Sequence, residues 1–185
     1  MLSFEDLTDV ILVGHSSTGM VITAVADRMP KRIRHVVYLD AFVPEDGQSL
    51  IDIMPPTLVP QVKARVEKEG RGWLLPRLYP PPWEEIVEKI WHISDEGDRR
   101  WMLQRLRPTP FKHFTESVER KNGAAEKLPR TYIRCRQFPN PIFDRYAQAA
   151  QQSSMWQYRE LESSHEAFIT APEKLSDLLL EIAAR

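Results

Sequence analysis

The sequence predicts an α/β fold in which a mostly parallel sheet is interrupted by a helical insertion. Three observations lead to this prediction. A short apolar run at 10–13 is followed by a glycine-containing turn and then by apolar residues at helical spacing. A second apolar run at 33–39 repeats the strand signal, and strands alternate with helices again after residue 129. Between these two parts prolines become frequent and the periodicity of strands disappears.

The first predicted element is a strand at Val10–Val13. Its unbroken apolar character is typical of a strand that is buried on both faces of a parallel sheet. A helix is predicted after the turn Gly14–Gly19, because apolar side chains recur there with the spacing of one helix face, at Met20, Val21, Ala24 and Val25. Strand, sharp turn and helix therefore follow one another directly.

The turn between them approximates the pattern G-x-S-x-G around Ser16. Such a turn places the serine hydroxyl on a strained, exposed bend, with a helix N-terminus behind it to favour developing negative charge. Ser16 is therefore the predicted nucleophile. Thr18 stands where the pattern has its second glycine, and we expect its side chain to crowd the turn. The alternative is a glycine-rich connection without chemistry.

The second predicted strand, Ile33–Leu39, ends at Asp40. Open α/β sheets place their reactive groups at the carboxyl ends of their strands. Asp40 is therefore a candidate site residue. The alternative is that its carboxylate only caps the strand end or binds a backbone group of the insertion.

Residues 45–128 are predicted to form a mostly helical cap, inserted between core segments 1–44 and 129–185 of a single domain. Prolines gather in this region at positions 55, 56, 60, 76, 80, 81, 82, 108 and 110. Large aromatic side chains suit the lining of an apolar pocket, so Trp83, Trp91 and Trp101 are predicted to bind substrate. The alternative is that they hold the cap together.

After the cap, the pattern predicts a strand at Thr131–Cys135, a helix at Phe143–Gln151, a strand at Trp156–Leu161 and a final helix at Pro172–Ala184. His165 lies on the polar loop that follows the last strand. Its order after the serine and its place at the carboxyl edge of the sheet make it the predicted general base.

Composition excludes several classes of function. The 185 residues suit one domain, with 42% hydrophobic and 28% charged residues, and a net charge of -1 offers no basic face for nucleic acid. No apolar run approaches the length of a membrane span, and Met1–Asp9 is acidic where a leader would be basic, so a cytoplasmic location is expected. The lone Cys135 is expected to act as a small buried hydrophobe. The five histidines show no ligand spacing, so neither a metal nor a cofactor is expected.

Three segments together resemble the α/β-hydrolase superfamily, and within it the small bacterial esterases related to plant methylesterases, hydroxynitrile lyases and pyrethroid hydrolases. They are VILVGHSSTGMVITAVADR, HVVYLDAFVPEDGQSL and SSHEAFITAPEKLSDLLLEIA. The resemblance implies that Ser16 is the nucleophile, that His165 is the base, and that the backbone N–H of Ser17 is an oxyanion donor. His15, which is expected to pack inside the turn, joins the candidate substrate-binding residues.

The resemblance places the acid of the triad shortly after the strand Thr131–Cys135, where this chain has Phe138 in the position of the acid. Some lipases of the superfamily take their acid from the end of the preceding strand, which corresponds to Asp40. Asp40 is therefore the predicted acid. Asp144 is a weaker candidate, because it falls inside a predicted helix.

Members of the family begin with several strands and a His-Gly loop, and this chain starts shortly before the nucleophile strand. The expected fold is therefore a partial α/β-hydrolase fold that lacks the N-terminal strands. Strand 10–13 would then present an apolar edge, and such an edge pairs readily with another chain. The expected partner is a second copy of this chain or a separate N-terminal half.

The leading prediction is hydrolysis of a small carboxylic ester through an acyl-enzyme at Ser16. The alternative from a different class is a catalytically impaired hydrolase remnant that acts as a binding or assembly module. An acyltransferase would have further sequence after the basic histidine, whereas one predicted helix follows His165. A hydroxynitrile lyase would need a suitably placed lysine, and no motif places Lys112 or Lys121.

Overall fold

The structure is a computed structural model that describes residues 1–76 and 82–184. The chain divides into two compact units. The first comprises Met1–Gly47 and Val118–Arg185, and the second comprises Gln48–Ser117. The cap prolines expected at positions 80 and 81 lie outside the described residues.

The strands are named in chain order: β1 (Val10–His15), β2 (Ile33–Leu39), β3 (Leu74–Leu75), β4 (Thr109–Pro110), β5 (Arg130–Cys135) and β6 (Gln157–Leu161). The helices are α1 (Thr18–Arg28), α2 (Leu50–Ile53), α3 (Val59–Glu69), α4 (Trp83–Glu85), α5 (Glu96–Arg105), α6 (Lys112–Thr115), α7 (Pro141–Gln151), α8 (Ala167–Thr170) and α9 (Pro172–Ala183). Helix α4 continues as a π-helical turn at Ile86–Ile90, and 3₁₀ turns lie at Pro30–Arg32 and Ala125–Lys127.

The first unit contains a parallel sheet with the strand order β1-β2-β5-β6. Its register aligns the carboxyl ends of the strands: His15 lies opposite Leu39, and Leu39 lies opposite Ile133. The segments that follow β1, β2 and β6 therefore leave the sheet at one edge. This edge carries every predicted catalytic residue.

Apolar side chains cover both faces of the sheet, because successive residues of a strand point to opposite sides. Tyr38 and Tyr132 pack on one face with residues of α1 and α7. Val37 and Leu39 pack on the other face with residues of α8 and α9. Cys135 is fully buried in the second of these clusters. Layers of helices on both sides of a mostly parallel sheet form an α/β fold, as predicted.

The prediction that β1 is buried on both faces is wrong. Val10, Ile11 and Leu12 are half-buried, and Val13 is 40% exposed. In residues 1–76 and 82–184, β1 is an edge strand that pairs with β2 alone. An unbroken apolar run shows that a strand could be buried on both faces. The strands and helices that pack against it determine how much of its surface is buried.

The segment between the second unit and β5 is fixed to α1 by one buried carboxylate. Asp27 accepts hydrogen bonds from the backbone N–H groups of Asn122 (3.0 Å) and Ala124 (2.9 Å). Burial opposes the charge, but these bonds and the charge of Arg120 lower the pKa of Asp27. The carboxylate thus replaces water as the partner of two loop amides.

The second unit consists of α2 to α6 and a short antiparallel ribbon formed by β3 and β4. Helix α3 has a proline in its first turn and is followed by Gly70 as its C-cap, and it buries Val62 and Val66 on one side. Of the helices that the structure describes, none combines the length and the apolar character needed to cross a membrane.

Candidate active site

The turn after β1 holds Ser16 in a strained conformation. Its φ of +53° lies in the left-handed region that side chains rarely adopt. Two backbone hydrogen bonds fix the turn to the end of β2: Ser16 N–H donates to Leu39 O, and Phe42 N–H donates to Ser16 O. In the part of the chain that is described, the Ser16 hydroxyl makes no hydrogen bond. The hydroxyl is therefore available to form a hydrogen bond with a base or to attack a substrate.

The prediction that Thr18 crowds the turn is wrong. Its hydroxyl accepts a hydrogen bond from the N–H of His15 (2.8 Å) and donates one to the carbonyl of His15 (2.6 Å). Thr18 therefore braces the turn from outside. The close approach occurs one residue later, where a Cβ on Gly19 would lie 2.0 Å from the carbonyl oxygen of Phe42. Glycine is required at position 19, because no other residue fits there.

Ser17 directly precedes α1, which has 11 residues. Its backbone N–H donates no hydrogen bond within the described residues, so it is available to an outside acceptor. The N-terminus of a helix also carries partial positive charge. The position therefore suits the predicted role of Ser17 as an oxyanion donor.

Asp40 follows β2 and is fully buried. Its Oδ2 lies 2.8 Å from Nδ1 of His165. Its Oδ1 accepts a hydrogen bond from Nη1 of Arg134 (2.7 Å) and a longer one from the backbone N–H of Cys135 (3.2 Å). Each carboxylate oxygen thus has its own donors, which hold the group in one orientation.

The contact with Asp40 determines the tautomer of His165. An ionised carboxylate only accepts hydrogen bonds, so Nδ1 carries the proton and a neutral ring keeps a lone pair on Nε2. Phe138 stacks on the imidazole with ring centroids 4.6 Å apart, and Phe143 stacks at 5.3 Å. Phe138 stands where the resemblance places the acid. In the structure Phe138 packs on the imidazole of His165, and Asp40 makes the hydrogen bond to that imidazole.

His15 joins the serine turn to the His165 loop. Its Nε2 donates a hydrogen bond to the carbonyl of His165 (2.9 Å), and the two rings lie 4.4 Å apart. Burial, followed by the neighbouring His165, lowers the pKa of His15 to about 3, so the ring is neutral. Because His15 directly precedes Ser16, this bond ties the serine turn to the loop that carries His165.

Arg134 is a site residue that the sequence analysis missed. Its guanidinium binds Asp40, donates to Asp144 from Nε (2.9 Å) and Nη2 (2.8 Å), and donates to the carbonyl of Phe138. Burial opposes the charge, but Asp40 and Asp144 together raise the pKa of Arg134. The signal for it was a charged residue within the otherwise uncharged run 131–135 of β5. Asp144, the alternative acid, contacts this guanidinium.

Glu166, directly after His165, was also missed. Its side chain is 6% exposed, and no hydrogen bond from the described residues reaches its carboxyl group. Burial and the charge of Asp40 raise its pKa, while His165 opposes this shift. One atom of each of His15, His165 and Glu166 that could serve as a metal ligand lies within 4.8 Å of the other two. Each imidazole already uses one of its ring nitrogens, His15 for the carbonyl of His165 and His165 for Asp40.

The predicted substrate-binding tryptophans belong to the second unit. Trp83 lines a cavity of about 660 Å³ there, together with charged residues of α4 and α5. Trp101 is half-exposed and carries the guanidinium of Arg105 on its ring face at 4.3 Å. Trp91 is half-buried. Their role toward a substrate stays a prediction, whereas His15, Ser16, Ser17, Asp40 and His165 all lie in the first unit.

Comparison with known proteins identifies relatives of two kinds. The carbendazim hydrolyzing esterase of Nocardioides sp. (strain SG-4G) is 62% identical over 61 residues, which are 33% of this chain and 25% of that protein. Methylesterase 17 of Arabidopsis thaliana is 30% identical over 98% of this chain and 68% of its own length. The chain thus matches a quarter of the first relative and about two thirds of the second.

A solved structure and a family model extend the comparison. An extracellular α/β-hydrolase from a Paenibacillus species aligns with 97% of this chain and 74% of its own, with a TM-score of 0.79 and 22% identity. That similarity shows the fold alone. A model of the alpha/beta hydrolase family matches residues 2–178. The predicted resemblance is therefore confirmed, and the chain belongs to the α/β-hydrolase family.

Proposed function

We propose that this chain hydrolyses small carboxylic esters through an acyl-enzyme on Ser16. The observation that carries the proposal is the hydrogen bond between Asp40 and Nδ1 of His165, formed at the sheet edge where Ser16 occupies a strained turn. This bond leaves Nε2 as the basic atom. A base held in one tautomer, a serine hydroxyl without a hydrogen bond, and the His15 bond that ties their two loops together are features that support acyl transfer.

The first half of the reaction forms the acyl-enzyme. Ser16 Oγ attacks the ester carbonyl while Nε2 of His165 takes the hydroxyl proton. The carbonyl oxygen becomes an oxyanion, which accepts a hydrogen bond from the N–H of Ser17. The tetrahedral species collapses, the bond to the alcohol oxygen breaks, and His165 returns the proton to the leaving alcohol.

The second half releases the acid. A water molecule gives a proton to Nε2 of His165 and attacks the acyl carbonyl, so the same oxyanion forms again. The bond to Ser16 Oγ breaks, and the proton on His165 restores the serine hydroxyl. Asp40 keeps its charge throughout and stabilises the imidazolium that forms in each half.

The relatives support esters as the substrate class. One relative is named a methylesterase, and the other is named a carbendazim hydrolyzing esterase. The carbendazim hydrolyzing esterase has the higher identity, but over a short matched segment. We therefore propose methyl esters as first substrates, with carbendazim itself as a further compound to assay. Unit Gln48–Ser117 is proposed as the cap, and Trp83, Trp91 and Trp101 are proposed to contact the substrate.

A fluorophosphonate probe tests the proposal directly, because it labels only an activated serine. We expect one label on Ser16, lost in Ser16→Ala. Ser176→Ala is the matched control, since Ser176 lies exposed on α9, and it should label like the wild type. If the wild type stays unlabelled and hydrolyses no methyl ester, the chain is the alternative binding or assembly module.

We also propose that β1 pairs with a strand of a second copy or of a separate N-terminal half. The supporting observation is that a strand of apolar residues lies at the sheet edge with Val13 40% exposed. Unpaired N–H and C=O groups along such an edge are a template for another strand. The cytoplasmic location stays a prediction from the sequence.

A further inference from the structure

The guanidinium of Arg134 has more bonds than the burial of one charge requires. Arg134 is 2% exposed, although it is a charged residue inside β5. A guanidinium has five N–H donors, and in Arg134 each of them has an acceptor. The acceptors are Oδ1 of Asp40, Oδ1 of Asp144, which is used twice, and the carbonyl oxygens of Cys135 and Phe138. A planar group that is satisfied at every donor is held in one position and one orientation.

This guanidinium is bonded to three segments whose side chains contact the imidazole of His165. Asp40, which it binds at 2.7 Å, makes the hydrogen bond to Nδ1. Phe138, whose carbonyl oxygen it binds at 2.7 Å, stacks its ring on the imidazole. Asp144 lies on α7 directly after Phe143, and the ring of Phe143 also stacks there. The acid and both aromatic rings are thus tied to one buried charge.

The acid needs support, because its backbone is strained. Asp40 has a φ of +43°, in the left-handed region, and such a conformation persists only where the surrounding structure fixes it. The N–H of Asp40 donates to the carbonyl of Ile133 (2.7 Å), which holds the main chain to β5 but does not set the direction of the carboxylate. Oδ1 has two donors, and the bond from Arg134 is shorter than the bond from Cys135 and carries a full charge. The direction of Oδ2 therefore depends chiefly on Arg134.

We infer that Arg134 is a positioning residue, whose planar fork of donors keeps Oδ2 of Asp40 directed at Nδ1 of His165. The inference rests on the proposed esterase function of the same site. The bonds of Arg134 run to the acid and not to the imidazole, so its effect on the base passes through Asp40. A lysine would supply the charge from a single point and could not hold Asp40 and Asp144 in fixed directions at the same time.

A double-mutant cycle on the hydrolysis of a methyl ester tests this route. We expect Arg134→Met to lower kcat by about 10²-fold with KM nearly unchanged, because a small misplacement of a catalytic group has an effect of this size. In an Asp40→Asn background the same change should add only a small further loss, since the group through which Arg134 acts is already gone. Losses that multiply in the double variant, or a rise in KM with kcat unchanged, overturn the inference.

Two further variants separate orientation from charge. Arg134→Lys keeps the charge without the fork, so its kcat should lie between those of Arg134→Met and the wild type. Arg136→Met is the control, since Arg136 is exposed on the loop after β5 and pairs with Glu160 at 3.8 Å, and it should leave kcat unchanged. Full activity in Arg134→Lys overturns the inference, because the charge alone would then suffice. If circular dichroism shows that Arg134→Met does not fold, the cycle is measured with Arg134→Lys.

Crystal structures of the variants separate this inference from the proposed function, because they need no turnover. In Arg134→Met we expect the carboxylate of Asp40 to rotate, so that Oδ2 and Nδ1 of His165 move from 2.8 Å to beyond hydrogen-bond distance. In Arg136→Met the bond should stay. A bond between Asp40 and His165 that persists in Arg134→Met overturns the inference. Absence of fluorophosphonate labelling in the wild type contradicts only the proposed function.

Discussion

The two oxygens of Asp40 have different partners, and this division explains how an acid on β2 can serve a base on the loop after β6. Oδ2 binds His165, and Oδ1 binds Arg134 and the Cys135 N–H. Arg134 comes from β5, which lies between β2 and β6 in the sheet. A guanidinium is planar and carries several fixed donors, so it orients the carboxylate as well as neutralising it.

Asp40→Asn tests the acid at the scale of one residue. The amide removes the negative charge and can present its N–H to Nδ1, which selects the wrong imidazole tautomer. We expect kcat for a methyl ester to fall by about 10⁴-fold. Asp144→Asn is the control, since Asp144 contacts Arg134 and not His165, and it should cost far less. A larger loss in Asp144→Asn than in Asp40→Asn would assign the acid to Asp144.

Motif and chain order predicted Ser16, Asp40 and His165 as candidates, because each follows a strand whose carboxyl end was recognisable. Arg134 and Glu166 were not predicted. A charged residue inside a strand or on a loop is usually solvated, and its burial is decided by contacts with distant parts of the chain. Only the folded structure brings Arg134 to Asp40 and Glu166 to His15.

At the scale of elements, α1 is held to the segment before β5 by Asp27. The pKa of Asp27 is lowered in the folded chain, so ionisation adds stability that is full above its unfolded value of about 4. This contribution is lost as the pH falls through the folded value. Helix α1 therefore depends on an ionised carboxylate at the end farther from Ser16.

Asp27→Asn should lower the free energy of unfolding by about 1–3 kcal/mol at pH 7, because one backbone N–H loses its acceptor. The deficit should begin to shrink below about pH 4, where Asp27 of the unfolded chain takes up a proton, and should shrink further as the pH falls through the lower folded pKa. Urea unfolding at several pH values measures it. Asp177→Asn is the control, since Asp177 is exposed on α9. A deficit that grows toward low pH would contradict the assignment.

Strand β1 leads to a prediction about association. Lysine on an exposed edge opposes pairing with another strand, because its charge would have to be buried. If β1 pairs with a second copy, the wild-type chain should be dimeric by size-exclusion chromatography with light scattering. Val13→Lys should shift it toward monomer without changing its circular dichroism. A wild type that stays monomeric at high concentration would contradict pairing between copies.

The bounds of four elements outside the insertion were predictable, since β2 matches the predicted strand and β5, β6 and α9 differ from prediction by one residue at an end. Periodicity reports which face of an element is apolar. It does not show how many other elements pack against that face, which is why the prediction that β1 is buried on both faces was wrong. The role of Thr18 was not predicted either, although both of its hydroxyl bonds are local and run to the backbone of His15, three positions before it.

At the scale of the whole molecule, the candidate catalytic residues all lie in the sheet unit, and residues 118–128 belong to the same unit. Gly47 N–H donates to the carbonyl of Val118 (2.9 Å), and Arg120 N–H donates to Asp46 (2.7 Å). These bonds close the sheet unit at the two points where the chain leaves for unit Gln48–Ser117 and returns from it. The predicted cap bounds at 45 and 128 were set by composition, and composition does not reveal hydrogen bonds between segments that are distant in sequence, such as 46–47 and 118–120.

The aromatic stack on His165 has a spectroscopic consequence. Phe138 and Phe143 both lie within 6 Å of the imidazole with nearly parallel planes, at 28° and 16°. Circulating π electrons shield nuclei held over a phenyl face, so the carbon-bound protons of this imidazole are displaced to high field in a proton NMR spectrum. The protonation state of His165 can thus be followed on its own resonances, apart from those of the other histidines.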